Sequence, residues 1–269
     1  MNLTDHRLTC RDGLELQAQS LGIGKHTLLC LPGLARTARD FEGLAGQAPP
    51  GWRLLCPDHR GRGRSARDPR PRRYHTETYA RDALEWLDHL ELEHAAVLGT
   101  SFGGWVALSL AAQHPDRISG VILNDIGVTV PRAAALQYME RMGRRPRPAA
   151  VDPAFNRQMR QARRLAPFLG VLCRLGFLQH SAPLVRGYQD ALRRLQAPLL
   201  VLHGARSRVL TEAGIQELRK GCPGMILATI PRAGHTPGLT EPEAVRAIQD
   251  FLAGLATPVV TSDSGSEKG

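Results

Sequence analysis

A serine framed by glycines, Gly99-Thr100-Ser101-Phe102-Gly103, falls where the apolar pattern of the chain changes period. Ala95 to Leu98 reads as a short buried strand and Trp105 to Ala112 as a helix, which puts Ser101 on the turn between them. Glycines on either side of such a turn let strand and helix approach closely, so the central residue can be held strained with its hydroxyl projecting outward. A hydroxyl presented in that way suits nucleophilic attack on an acyl carbon. A glycine-rich turn without function would look the same over five residues, so the decision rests on partners elsewhere in the chain.

A serine hydroxyl is a weak nucleophile until a base takes its proton. The segment "IPRAGHTPGLTEPEAV" supplies His235 between Gly234 and Pro237, on a tight loop after a strand and ahead of the last helical pattern. Its place after Ser101 fits the chain order serine, acid, histidine.

Positioning such residues takes a sheet. "HRLTCRDGLELQAQSLG" alternates on both sides of Asp12-Gly13, which predicts an opening antiparallel pair. Strand patterns at "KHTLLCLPG", "GWRLLCPD", "HAAVLG", "RISGVILND", "APLLVLHG" and "PGMILATIP" then alternate with helical patterns at "TARDFEGLAGQ", "TETYARDALEWLDHLELE", "SFGGWVALSLAAQHP" and "EPEAVRAIQDFLAGL". That rhythm predicts an α/β fold, a mostly parallel sheet flanked by helices. Between residues 127 and 196 it fails in an arginine- and proline-rich stretch whose apolar faces, Phe155 and Phe168 among them, suit an inserted helical cap. The expected organisation is a core from 1–126 and 197–256, a cap at 127–196 and a disordered tail at 257–269.

Four blocks in order, "CLPGLARTARDF", "CPDHRGRGRS", "GTSFGG" and "AGHTPGLTEPE", resemble the α/β-hydrolase family, in its serine esterase-like branch, and the likeness runs from about Leu8 to Leu255. The resemblance implies that Ser101 is the nucleophile and His235 the general base. It also implies an oxyanion hole made by the backbone N–H groups of Phe102, at a helix N-terminus, and Leu34, in the loop after "LLCLPG". Pro32-Gly33 stands where many relatives have His-Gly, and proline there leaves the Leu34 N–H free to donate. Asp58 and Arg60 of "CPDHRGRGRS" are expected to fix their loop instead of touching substrate.

The acid departs from the family pattern. About three residues past Gly204, where the family most often has a carboxylate, this chain has Ser207 and Arg208, and no acid occurs before Glu212. Either the triad is incomplete or its carboxylate comes from elsewhere. Asp125, after the strand pattern in "GVILNDIG", is the candidate; its alternative role is to cap a turn beside Asn124. Serine at position 101 argues against the branches of the family that use an aspartate nucleophile.

Bulk properties narrow the partners. The net charge of +10 is carried almost entirely by arginine, with lysine only at 25, 220 and 268, and no aromatic-interleaved basic motif accompanies it, so nucleic acid is not expected. Cap arginines such as Arg141, Arg144 and Arg145 leave an anionic acyl substrate open. Five scattered cysteines lack disulfide or zinc spacing, and no metal or cofactor motif is present, so none is expected. With no apolar run of membrane-spanning length and no apolar signal region in "MNLTDHRLTC", the chain reads as cytoplasmic. The reading is a serine hydrolase acting on a small ester or related acyl compound. Thioester, lactone or carbon–carbon bond hydrolysis on the same triad, or a non-catalytic ligand receptor on this scaffold, are the alternatives; oligomeric state is not set by the sequence.

Overall fold

The computed structural model describes residues 2–34, 36–131, 133–134 and 182–256. Their strands are β1 (Leu3–Thr9), β2 (Glu15–Leu21), β3 (His26–Leu31), β4 (Trp52–Pro57), β5 (Ala95–Thr100), β6 (Ile118–Asn124), β7 (Leu199–Gly204) and β8 (Ile226–Ile230). They form one eight-stranded sheet in the order β1-β2-β4-β3-β5-β6-β7-β8. β1 and β2 are the expected antiparallel pair around Asp12-Gly13, β2 pairs antiparallel with β4, and every pairing from β4 to β8 is parallel. The mostly parallel sheet read from the alternation of elements is therefore the one observed.

Parallel strands need helical crossovers, and these cover both faces. On one face lie α2 (Thr76–His89), α3 (Phe102–Gln113), α4 (Ala182–Arg193) and α5 (Glu212–Gly221), burying Trp86, Val106, Leu110, Tyr188, Leu192, Ile215 and Leu218 against Leu29, Val97, Val121 and Val201. On the other, a 3₁₀ turn at Ala38–Phe41, the short α1 (Glu42–Ala45) and α6 (Pro242–Ala256) bury Phe41, Leu44, Ile248, Phe251 and Leu252 against Leu28, Leu54, Leu98 and Leu200. All six residues of β5 are buried, as expected for a central strand packed on both faces. Nine of the twelve residues of α3 are buried too, because it lies on the sheet and under its helical neighbours.

"TARDFEGLAGQ" does not form one continuous helix as its pattern suggested, but a 3₁₀ turn followed by a single α-helical turn. Two glycines lower its helical propensity, and Gly43 packs so tightly that a Cβ there would lie 2.5 Å from Thr240 Cγ2. α4 falls inside the stretch assigned to the cap and is anchored to the core: the Tyr188 ring stacks on Trp105 at 5.3 Å, and its hydroxyl hydrogen-bonds Thr76 Oγ1 at 2.6 Å. The cap assignment for 135–181, with Arg141, Arg144 and Arg145, and the tail at 257–269 lie outside the described residues. Cys10, Cys30 and Cys56 are buried free thiols and Cys222 a half-buried one; Cys173 lies outside the described residues. No helix among the described residues is long and apolar enough to cross a membrane.

Candidate active site

The turn between β5 and α3 is as tight as its glycines imply. A Cβ on Gly99 would come within 2.3 Å of the Gly103 carbonyl oxygen, and one on Gly103 within 2.1 Å of the Leu31 carbonyl oxygen. Only glycine allows that approach, and it forces Ser101 to φ 52°, ψ −117°, a conformation that L residues rarely adopt. The strained residue is tied on both sides: its N–H donates to the Asn124 carbonyl at 3.0 Å, and its carbonyl accepts from the Gly104 N–H at 2.8 Å.

His235 reaches Ser101 from the loop between β8 and α6. Asn124 at the end of β6 donates from Nδ2 to the Pro237 carbonyl at 3.1 Å and to Thr100 Oγ1 at 3.2 Å, joining that loop to the tip of β5. The Arg206 N–H donates to the Ala233 carbonyl at 2.8 Å, and Glu241 Oε1 accepts from the Gly238 N–H at 2.8 Å. With its loop held at three points, His235 Nε2 lies 2.9 Å from Ser101 Oγ.

Nδ1 of His235 lies 2.7 Å from Oδ2 of Asp125. Asp125 comes directly after β6, at φ 57°, a left-handed conformation that aspartate tolerates better than most residues. Its N–H donates to the Leu202 carbonyl at 2.8 Å, and its carboxylate is fully buried. Oδ1 accepts from the Gly204 N–H at 2.9 Å, and Oδ2 accepts from the Ser207 hydroxyl at 2.6 Å. A carboxylate can only accept, so His235 carries its proton on Nδ1, leaving the Nε2 lone pair for the Ser101 hydroxyl. The structure thus brings Ser101, His235 and Asp125 into one hydrogen-bonded chain. Glu212 takes no part in it: Glu212 opens α5 and accepts a hydrogen bond from Gln216 at 2.7 Å.

The loop after β3 runs against the same turn. A Cβ on Gly33 would lie 3.5 Å from the Thr100 carbonyl oxygen and 3.8 Å from Ser101 Cβ. Phe102 is the first residue of α3, where the N–H has no partner within the helix. Neither its N–H nor that of Leu34 finds an acceptor among the described residues. The loop is fixed instead through its carbonyls. Arg62 Nε donates to the Leu34 carbonyl, and Arg62 Nη1 donates to Tyr79 Oη at 3.0 Å. His59 Nε2 donates to the Pro32 carbonyl at 3.2 Å. Burial and the nearby Arg62 charge push the His59 pKa down to about 3, so this imidazole is neutral at physiological pH.

Asp58 and Arg60 do what the sequence suggested. Asp58 Oδ1 accepts the Ala38 N–H and Oδ2 the Arg64 N–H, both at 2.9 Å, closing its own loop and tying it to the 3₁₀ turn at Ala38–Phe41. Arg60 is buried in a network with Asp82, Asp12 and Asp68, at 2.5 to 3.1 Å. The residues of that block that hydrogen-bond the Pro32–Leu34 segment are His59 and Arg62, and nothing in the local sequence marks either one. In the sequence Ser207 stands out only as occupying the place of a missing acid. Among the described residues no group of His, Cys, Asp and Glu is arranged to hold a metal ion.

A strained serine, a histidine base, a buried carboxylate and two unengaged N–H groups together can carry acyl transfer. The sequence profile of the alpha/beta hydrolase fold matches residues 26–150. A crystal structure of an alpha/beta hydrolase from Novosphingobium aromaticivorans is 31% identical and superposes with a TM-score of 0.72 over 93% of this chain and 98% of that one. The 3-hydroxybutyrate-oligomer hydrolase of Cupriavidus necator is 24% identical over 84% of this chain and 88% of its own. The 2-hydroxymuconate semialdehyde hydrolase of Pseudomonas putida is 27% identical over 89% and 95%.

Proposed function

The chain belongs to the α/β-hydrolase fold family, and within it we propose a serine hydrolase that cleaves a carboxylic ester or related acyl compound through an acyl-Ser101 intermediate. In the first half-reaction His235 Nε2 takes the Ser101 proton as Oγ attacks the acyl carbon. The N–H groups of Leu34 and Phe102 receive the developing oxyanion, and Asp125 stabilises the imidazolium while holding its tautomer. Collapse passes the proton from Nε2 to the leaving oxygen. Water deprotonated by His235 then attacks the acyl-enzyme, and Ser101 is regenerated as the acid leaves.

The observation that carries this reading is the Ser101–His235–Asp125 chain, 2.9 and 2.7 Å long in its two links, ending on a serine held at positive φ. The hydrolase of 3-hydroxybutyrate oligomers among the relatives supports an ester as the bond broken. The test is hydrolysis of p-nitrophenyl esters from acetate to decanoate by wild type and Ser101→Ala, alongside covalent labelling by a fluorophosphonate. Turnover and labelling lost together in the variant support the proposal. Wild-type protein that neither turns over nor labels overturns it in favour of a non-catalytic ligand receptor.

The relative that acts on 2-hydroxymuconate semialdehyde supports a second reading, in which the same residues cleave a carbon–carbon bond beside a ketone. Labelling at Ser101 without ester turnover, combined with hydrolysis of 2-hydroxymuconate semialdehyde, would favour it.

A further inference from the structure

Asp125 faces two imidazoles. Its Oδ2 receives His235 Nδ1–H at 2.7 Å, while its Oδ1 lies 3.5 Å from Nδ1 of His203, near the end of β7. That His203 nitrogen is buried and has no hydrogen-bond partner among the described residues. The terminal torsion of an aspartate is soft, so a modest rotation of the carboxylate would give the Nδ1–H tautomer of His203 an acceptor and draw one away from His235. Two donors oppose the rotation, the Gly204 N–H on Oδ1 and the Ser207 hydroxyl on Oδ2.

The Ser207 hydroxyl is itself held in one orientation. It has one proton and two lone pairs, and its oxygen accepts from the N–H groups of Val209 at 3.1 Å and Leu210 at 3.2 Å. With both lone pairs engaged, its proton points at Asp125. That contact is a charge-assisted bond of 2.6 Å, in the range of the stronger protein hydrogen bonds.

We propose that Ser207 is a positioning residue whose hydroxyl fixes the Asp125 carboxylate on His235 instead of His203. Its kinetic consequences rest on the serine hydrolase reading above; its structural consequence does not. Ser207 stands three residues past Gly204, so the position that lacks an acid still serves the acid, as a donor to it.

The test compares Ser207→Ala, Ser207→Thr and the double variant Ser207→Ala/His203→Leu, all in the full chain. Ser207→Ala is expected to slow fluorophosphonate labelling and p-nitrophenyl ester kcat by roughly ten- to a hundredfold with KM little changed, the range for losing a hydrogen bond to a charged group. Ser207→Thr keeps the hydroxyl and should restore most of the rate. Removing the competing imidazole should also restore part of it, so the double variant is expected to exceed the single one; a merely structural role predicts further damage. The low-field proton resonance of His235 Nδ1–H needs no substrate. It should be present in wild type, weakened or shifted in Ser207→Ala and regained in Ser207→Thr. An unchanged resonance in Ser207→Ala, or a double variant no faster than the single, overturns the proposal. Absence of labelling and turnover in wild type overturns the hydrolase reading instead and leaves the resonance to decide this one.

Discussion

Replacing Asp125 by asparagine keeps the shape of the side chain and removes its charge, and the surrounding hydrogen bonds determine the loss of activity. In wild type both carboxylate oxygens accept: Oδ1 from the Gly204 N–H, Oδ2 from Ser207 and from His235 Nδ1. An amide must place its NH2 on one side. Turned toward Gly204, it meets an N–H donor inside a fully buried site, at a cost of about 1–3 kcal/mol in stability, and the remaining oxygen supports the imidazolium as a neutral dipole only. Turned toward His235, it meets the Ser207 hydroxyl proton, donates to Nδ1, moves the histidine proton to Nε2, and leaves no base for Ser101. Either arrangement removes the charge that stabilises the imidazolium, and the second also removes the base. Turnover of Asp125→Asn is therefore expected to fall by about three to four orders of magnitude, as in triads whose aspartate holds the histidine tautomer. The assay is kcat on the best p-nitrophenyl ester, with a circular dichroism melt to verify folding. A rate within about tenfold of wild type would refute the assignment of Asp125 as the acid, since an effect that small matches one ordinary hydrogen bond and not the loss of the charge that supports the imidazolium.

Glu212→Gln should leave kcat within about twofold of wild type, because it disturbs only a surface bond to Gln216; a collapse there would move the acid to Glu212. Gly103→Ala drives a methyl group to 2.1 Å from the Leu31 carbonyl oxygen, and urea melts should show a loss of about 3 kcal/mol or failure to fold; a wild-type midpoint would contradict the tight approach at this turn. Arg62→Met frees the Leu34 carbonyl and should lower kcat about ten- to a hundredfold, the scale for a misplaced oxyanion donor, with KM changing less; equal kcat values would separate Arg62 from the oxyanion loop. His59, folded with a pKa near 3 against 6.5 when unfolded, contributes stability that is complete above pH 6.5 and is lost as pH falls toward 3. Between pH 6.5 and 4.5, before most carboxylates titrate, wild type should lose about 2–3 kcal/mol more than His59→Gln in urea melts, and parallel curves would show that the imidazole is not buried neutral.

Ser101 and His235 were readable because each depends on a local backbone requirement that leaves glycine or proline beside it: Gly99 and Gly103 around the serine turn, Gly234 and Pro237 around the histidine loop. The opening hairpin was readable for the same reason, alternation on both sides of an Asp-Gly turn. Asp125 could be nominated only as the acid at the end of a strand beside β5, a topological argument that its local sequence does not strengthen. Contacts that cross the sheet left no such trace. Arg62 meets Leu34 across 28 residues, His59 meets Pro32 across 27 and Ser207 meets Asp125 across 82, and each pair is adjacent only after the parallel strands have been assembled. The helix expected at "TARDFEGLAGQ" is realised as a 3₁₀ turn running into one α-helical turn, where two glycines weaken the helical spacing.

The parallel sheet also explains why a carboxylate can serve this site from either of two strands. β6 and β7 are paired neighbours, with Asn124 opposite Leu202, so Asp125 and the turn after Gly204 emerge side by side at the same sheet edge. Adjacent strands lie about 4.8 Å apart, comparable to the reach of one aspartate side chain. His235 Nδ1 therefore lies within range of a carboxylate at 125 or at 207, and the contact of 2.6 Å between the two side chains shows that they share that space. Two carboxylates so close would repel and raise one another's pKa, whereas one carboxylate and one hydroxyl form a hydrogen bond. Given an aspartate at 125, a small hydroxyl residue at 207 is what electrostatics favours. The absence of an acid after Gly204 and the presence of Asp125 after Asn124 are two parts of one arrangement.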